Sequence, residues 1–306
     1  MKRSLFIPMI LLAVSLSPTA QQPKSSGRYQ LVENWGVASA GEPFYSVSAV
    51  VTDPKGIVHA FRRDANNVWT LDASGKLLKT WGQGIAKGAH GIRVDRDGFI
   101  WTVDRNGHQI RKWSPDASKE LMRLGKYEVS GEGPDTFNRP SDVAIAPNRD
   151  IFVADGHGGE SNARIVKLSP EGKFIKAWGT KGSAPGQFNV PHSIVIDARS
   201  RVLVADRINT RVQIFDLDGK FLDQWTHFGE PSEPKPDVSS LYLTNEDRLY
   251  IADGHNGKIW IVNARDGKLI DTVEGTEEIH WVAVDPAGSV YAASDNNRYL
   301  RKYAKR

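Results

Sequence analysis

The sequence predicts an all-β chain folded as a six-bladed β-propeller, and three observations carry that expectation. One pattern recurs six times, opening VSAVVTDPKG at Val47, AHGIRVDRDG at Ala89, PSDVAIAPNRD at Pro140, PHSIVIDARS at Pro191, VSSLYLTNED at Val238 and IHWVAVDPAG at Ile279. Each unit holds short alternating or β-branched apolar runs set apart by Gly, Asn and Asp turns, the mark of strands joined by tight connections. No window sustains an apolar period near ~3.6 residues, so helices are not expected.

Within a unit the elements follow one order. The first run ends at an Asp or its equivalent, and Asp95, Asp197 and Asp285 read as turn formers because their short side chains bond the backbone two residues on. A second run, such as Ile151-Phe152-Val153, leads to a second Asp at Asp104, Asp155, Asp206 and Asp253. A Gly/Asn turn precedes a third run, such as Arg211-Val212-Gln213-Ile214-Phe215, and an Asp-Gly-Lys type turn opens a fourth. The fourth often closes on Trp-Gly, as at Trp81-Gly82 and Trp178-Gly179, and Trp81, Trp178 and Trp225 read as packing between blades. Four short strands per repeat make a propeller blade. Tyr29 to Gly36 carries a fourth-strand pattern, while the last unit stops after three strands. The N-terminal strand is therefore expected to complete the sixth blade and remove two open edges.

Lys2 and Arg3 precede an apolar run, Leu5 to Leu16, and Ser17-Pro18-Thr19-Ala20 offers a small-residue cleavage pattern. This is the layout of a signal peptide over residues 1–20, with residues 21–306 forming one propeller domain. The expectation is a secreted or periplasmic monomer with no membrane span after cleavage. The chain has no cysteine, which excludes disulfides, thiolate metal sites and cysteine nucleophiles. Its 40 basic and 36 acidic residues, net +4, are spread along the sequence, so no nucleic-acid arm is expected. No phosphate-binding glycine loop, Ser-His-Asp order or paired-carboxylate pattern stands out.

One register within the repeat carries chemistry. The residue five positions before the first Asp, or its equivalent, is Ser48, His90, Ser141, His192, Ser239 and His280, blade by blade. Alternate blades of a six-fold ring stand roughly 120° apart, so His90, His192 and His280 converge at one height if the first strand lines the channel. Three neutral imidazoles with an open fourth position form a zinc site of the catalytic type, although iron, copper and nickel also accept imidazole. The bland reading of any single histidine is a satisfied polar residue. Three in register, from eight in the chain, favour a metal. His157 and His255 share a second register, just after the second Asp of blades three and five. Arginines follow the second Asp of blades two and four, Arg105 and Arg207, and Arg63 takes that place in blade one. Arg63 and Arg207 could meet across the channel mouth and bind a carboxylate, or pair with nearby aspartates and simply hold turns.

The Val-Ala-Asp and Gly-Lys-Phe signatures resemble NHL repeats. Longer stretches resemble the peptidyl-α-hydroxyglycine α-amidating lyases: GAHGIRVD around His90, FNVPHSIVI around His192, VADRINTRVQIF after it, FNRPSDVAI and DGHGGESNARIVKLSPEGKFIKAWG in blade three, and VSAVVTDPKGIVHAFRRD in blade one. That resemblance implies a zinc-dependent carbon–nitrogen lyase that splits a peptidyl-α-hydroxyglycine into a peptide amide and glyoxylate. It implies zinc on His90, His192 and His280, and a substrate carboxylate on Arg63 and Arg207, with Arg62 one residue away. It further implies a structural calcium on the main-chain carbonyls of Val50 and Ile92. The aspartate that completes the calcium set in the family is replaced by Trp281, and the family's tyrosine base is replaced by His157. The competing readings are another metal-dependent lyase or hydrolase on the same scaffold, and a non-catalytic propeller binding a peptide, glycan or protein on its top face. A streptogramin-lyase-like propeller would require seven blades.

Overall fold

A computed structural model describes residues 27–36, 44, 46–63, 68–228 and 235–306, and the expected signal peptide lies outside them. Every regular element among the described residues is a β-strand. The strands form six four-stranded antiparallel sheets. In blade 2, for example, Ala89–Val94, Ile100–Asp104, Gln109–Trp113 and Glu120–Leu124 follow one another from the inside outward. The first strands of successive blades, Val47–Thr52, Ala89–Val94, Pro140–Ile145, Pro191–Ile196, Val238–Leu243 and Trp281–Val284, touch one another in a closed circuit. That circuit is the wall of the central channel.

Ring closure follows the expectation. Tyr29–Leu31 pairs antiparallel with Tyr299–Lys305, placing Tyr29 opposite Lys305 and Leu31 opposite Tyr303. The first blade-six strands thus acquire their fourth partner from the other end of the described chain, and the seam is closed by Tyr29, which is buried with its hydroxyl 3.3 Å from that of Tyr250. The second strands are buried on both faces, as in Ile151-Phe152-Val153-Ala154, which explains their unbroken apolar sequence. The fourth strands face water and keep polar residues, as in Leu77–Trp81.

The tryptophans that close the fourth strands have a packing role. A Cβ placed on Gly219 would lie 2.6 Å from the ring of Trp178, and one on Gly267 would lie 2.7 Å from that of Trp225. Both glycines also have positive φ, a conformation that other residues reach only at a cost. Each indole therefore sits on the turn of the following blade, and the tryptophans join blades as the sequence suggested.

The first strands share a further irregularity. Their ladders skip a residue between Val47 and Ala49, Pro140 and Asp142, Pro191 and Ser193, and Val238 and Ser240, and two residues between Ala89 and Ile92. The skipped positions include Ser48, His90, Ser141, His192 and Ser239, the register singled out in the repeat. In blade 6, His280 stands just ahead of the Trp281–Ala293 pair and gives its N–H to Ala293 O at 2.8 Å. Bulges of this kind bend a strand and re-aim the extra side chain. Here they turn it into the channel.

Candidate metal centre

His90, His192 and His280 meet in the channel, with ring centroids 4.7 to 5.1 Å apart. All three are almost fully buried. Each Nδ1 faces a backbone carbonyl of the next blade: His90 to Ser141 O at 2.7 Å, His192 to Ser239 O at 2.5 Å, and His280 to Ser48 O at 2.6 Å. A carbonyl only accepts, so each Nδ1 carries the proton and each Nε2 keeps its lone pair. The serines complete the arrangement. Ser141 Oγ donates to Pro191 O and Ser239 Oγ to Ile279 O, the carbonyls just before His192 and His280. At Ser48 the Arg63 guanidinium makes the link instead, donating to Ser48 Oγ and to Ala89 O, the carbonyl just before His90.

This donor set fits zinc. The Nε2 of His90 is buried without a hydrogen-bond partner, a costly state for a polar atom unless a further group completes it. Burial, followed by repulsion from neighbouring rings and guanidinium groups, holds His90 and His192 well below the ordinary imidazole range. Burial also lowers His280 to about 4, against the attraction of Asp295. All three are neutral at physiological pH, the form that ligates metal. The outer hydrogen bonds on Nδ1 are the kind that orient metal-bound histidines.

His157 enters the same cluster, and its ligand atom lies with the other three inside a span of 4.8 Å. Its Nε2 is 3.2 Å from that of His192, and its Nδ1 is 3.5 Å from Arg105 Nη1. A guanidinium only donates, so Nδ1 accepts and the neutral ring points an N–H, not a lone pair, at His192. His157 therefore differs in kind from the three ring histidines. Burial and then the Arg105 charge depress it to about 3. His255, its counterpart in sequence register, is exposed to solvent.

The arginines stand around the cluster with unequal partners. Arg63 pairs with Asp295 at 2.5 Å and reaches Ala89 O and Ser48 Oγ. Arg207 holds Asp237 through Nε and Nη2, at 2.8 and 2.9 Å, while its Nη1 lies 3.4 Å from His192 Nε2. Arg62 instead lies over the Trp69 ring at 3.7 Å, inside blade 1. The sequence reading missed Asp295 and Asp237. Asp295 was open to discovery, because it occupies in blade 6 the same position as Arg63, Arg105 and Arg207.

The calcium expectation fares differently, because the residues present do not fit that ion. Next to His280, the buried Trp281 supplies an indole where an acid would be required. Arg93, one residue beyond Ile92, places its guanidinium 4.9 Å from the Trp281 ring and pairs with Asp142 through Nε and Nη2, at 2.9 and 2.5 Å. Asp142 is fully buried and also accepts from Ser193 Oγ and the Ile194 N–H. A fixed cation thus occupies the channel beside Trp281, and Val50 and Ile92 remain wall residues of the first strands. Farther along, a cavity of about 960 Å³ opens at the other mouth, lined by Asp53, Arg96, Thr244, Asp247 and Asp285 among others. None of the four clustered imidazoles lines it.

No protein-family model matches the chain. It is 32% identical to a peptidyl-glycine α-amidating monooxygenase of Xenopus laevis over 75% of its length, spanning 27% of that protein. It is 30% identical to a Caenorhabditis elegans protein named for peptidyl-α-hydroxyglycine α-amidating lyase activity, over 71% of this chain and 64% of that one. Human NHL repeat-containing protein 3 is 32% identical over 55% of this chain and 50% of its own. The chain thus spans about a quarter of the first of these relatives. Among solved structures, a gluconolactonase from Xanthomonas campestris shares the fold with a TM-score of 0.68 at 13% identity, covering 94% of this chain and 95% of that one. The relatives, the repeat and the closed ring agree: the chain is a six-bladed β-propeller similar to the peptidyl-α-hydroxyglycine α-amidating lyases and to NHL-repeat proteins.

Proposed function

We propose that this protein is a metal-dependent lyase that cleaves a peptidyl-α-hydroxyglycine into a peptide amide and glyoxylate. The observation that carries the reading is the set of three Nε2 lone pairs, each fixed by a carbonyl on Nδ1 and turned toward one point. Zinc on His90, His192 and His280 would polarise the carbinol hydroxyl and lower its pKa. In the reaction the C–N bond breaks, the hydroxyl loses its proton as the aldehyde C=O forms, and the amide nitrogen gains a proton. No oxidant or second substrate is required.

His157 is the group placed to move that proton, because its Nε2 lies beside the ligand set. With a pKa held to about 3, it stays neutral between turnovers and carries the proton only in passing, from the hydroxyl to the departing nitrogen. To accept at Nε2 the ring must first shift its own proton to Nδ1, against the Arg105 donor. The arginine face of the cluster supplies the positive field for the carboxylate and for charge on departing glyoxylate. An extracytoplasmic monomer and a small or peptide substrate with a terminal carboxylate complete the proposal.

A second reading has one observation in its favour. Arg63 and Arg207 each already hold an aspartate, as they would in a propeller that binds a peptide, glycan or protein without turning it over. The deciding experiment measures metal in the purified protein and glyoxylate release from an acyl-α-hydroxyglycine. About one zinc per chain with glyoxylate release supports the lyase. Absence of bound metal after zinc is supplied, or zinc without any release, overturns it.

A further inference from the structure

Three guanidinium groups, Arg63, Arg105 and Arg207, occupy one position of the repeat beside the imidazoles. Two have their charge answered inside the protein: Arg63 by Asp295, and Arg207 by the two oxygens of Asp237. Arg105 does not. Its Nε donates to Asn106 Oδ1 at 3.2 Å and its Nη1 to His157 Nδ1 at 3.5 Å, and both acceptors are neutral. No carboxylate among the described residues forms an ion pair with it, although it is half-buried. Burial and then the charges of Arg63 and Arg139 work against its protonated form, and the charges of Asp295 and Asp104, neither of them paired with it, only partly offset them. A buried cation with neutral partners gains most from an anion brought by a ligand.

Distance agrees with chemistry. The His157 imidazole touches both the Arg105 guanidinium, at 3.5 Å, and His192 Nε2, at 3.2 Å. A carboxylate on the carbon next to a hydroxyl spans such a gap when the hydroxyl sits at the imidazole cluster. We propose that Arg105, rather than Arg63 or Arg207, is the principal anchor for the substrate carboxylate, taking an α-hydroxy or α-oxo acid anion through its free N–H groups. The identity of that acid rests on the lyase reading. The anion site itself does not.

The test uses zinc-loaded protein and the variants Arg105→Gln, Arg105→Lys and Arg63→Gln. Metal content and thermal unfolding first confirm that each remains folded and loaded. Glyoxylate binding is then measured by calorimetry, and KM and kcat are measured for an acyl-α-hydroxyglycine and for its uncharged carboxamide counterpart. Arg105→Gln is expected to weaken glyoxylate and raise KM about 10- to 100-fold, the weight of hydrogen bonds to a charged group. Its kcat should change less, the carboxamide should not discriminate it from wild type, and Arg105→Lys should recover part of the loss. A wild type that binds glyoxylate yet turns over no α-hydroxyglycine would end the lyase reading while a loss of binding in Arg105→Gln still supports the anchor. Glyoxylate affinity within about twofold of wild type in Arg105→Gln, or no glyoxylate binding to wild type, overturns the anchor.

Discussion

The two ends of the channel wall settle the same electrostatic problem in opposite ways, although His90 and Arg93 lie on one strand, Ala89–Val94. At the histidine end, three neutral imidazoles turn lone pairs inward and leave His90 Nε2 without a partner. At the Arg93 end the cation belongs to the chain: its guanidinium is held by Asp142 and Ser193 and packed against Trp281. A channel lined by bulged strands cannot satisfy every polar group within its ladders, so some must find partners outside them. One end offers side chains that could hold a removable ion. The other carries a fixed one, ion-paired within the protein.

The sharpest way to break that contrast is to remove one member from each end. His192→Ala deletes a ligand, and stoichiometric zinc, followed by elemental analysis after dialysis, should be lost. Outer hydrogen bonds alone are worth about 10- to 100-fold in metal affinity, so a ligand is worth more. Unfolding of the metal-free protein should change far less. Arg93→Met does the reverse. It strands the fully buried Asp142 carboxylate, and loss of one partner from a buried pair costs about 3–5 kcal/mol. Denaturant unfolding should show that loss with zinc content unchanged, and Arg93→Met with Asp142→Leu should recover much of it. A stable Arg93→Met variant would mean that the two ends are not different in kind.

The sequence carried the ring and half of the site. Six repeats, the alternation of His and Ser, and the missing last strand were all visible because each is a matter of register. What register could not show is how the chain crosses between blades. The bulge that aims His90 inward is a property of the ladder, not of residue type. His157 and His255 looked alike in sequence, yet only His157 reaches the cluster. The partners of Arg207 and Arg93 come from the first-strand regions of neighbouring blades, Asp237 and Asp142, and no local pattern couples them. The Trp281 departure from the calcium set was visible in the sequence, whereas the Arg93 guanidinium packed beside it was not.

A smaller effect comes from a histidine at neither end. His59 is buried in blade 1 with Nδ1 3.0 Å from Thr70 Oγ1, and burial, the largest cause, lowers it to about 4. Its folded value is below its unfolded one, so the unfolded chain takes up the proton first as pH falls. The stability tied to neutral His59 is full above about pH 6.5 and is lost between there and about pH 4, at about 1.4 kcal/mol per unit. His59→Gln, which keeps a group able to bond Thr70, should flatten unfolding free energy against pH by that slope in zinc-loaded protein. An unchanged slope would place the pH sensitivity elsewhere.

The smallest expected effect is a null result that only this contrast predicts. An ion that binds the folded state alone raises the unfolding temperature as its concentration exceeds its dissociation constant. Calcium would have to enter beside Val50 and Ile92, where Trp281 offers no oxygen and the Arg93 guanidinium already brings positive charge. Millimolar calcium should therefore move the unfolding midpoint of zinc-loaded protein by less than about 1 °C, while zinc added to metal-free protein moves it by several degrees. A calcium shift as large as the zinc shift, kept in His192→Ala but lost in Arg93→Met, would place a cation at the very end assigned to a fixed charge. The comparison would then reverse, with Arg93 and Asp142 supporting an ion site and not replacing one.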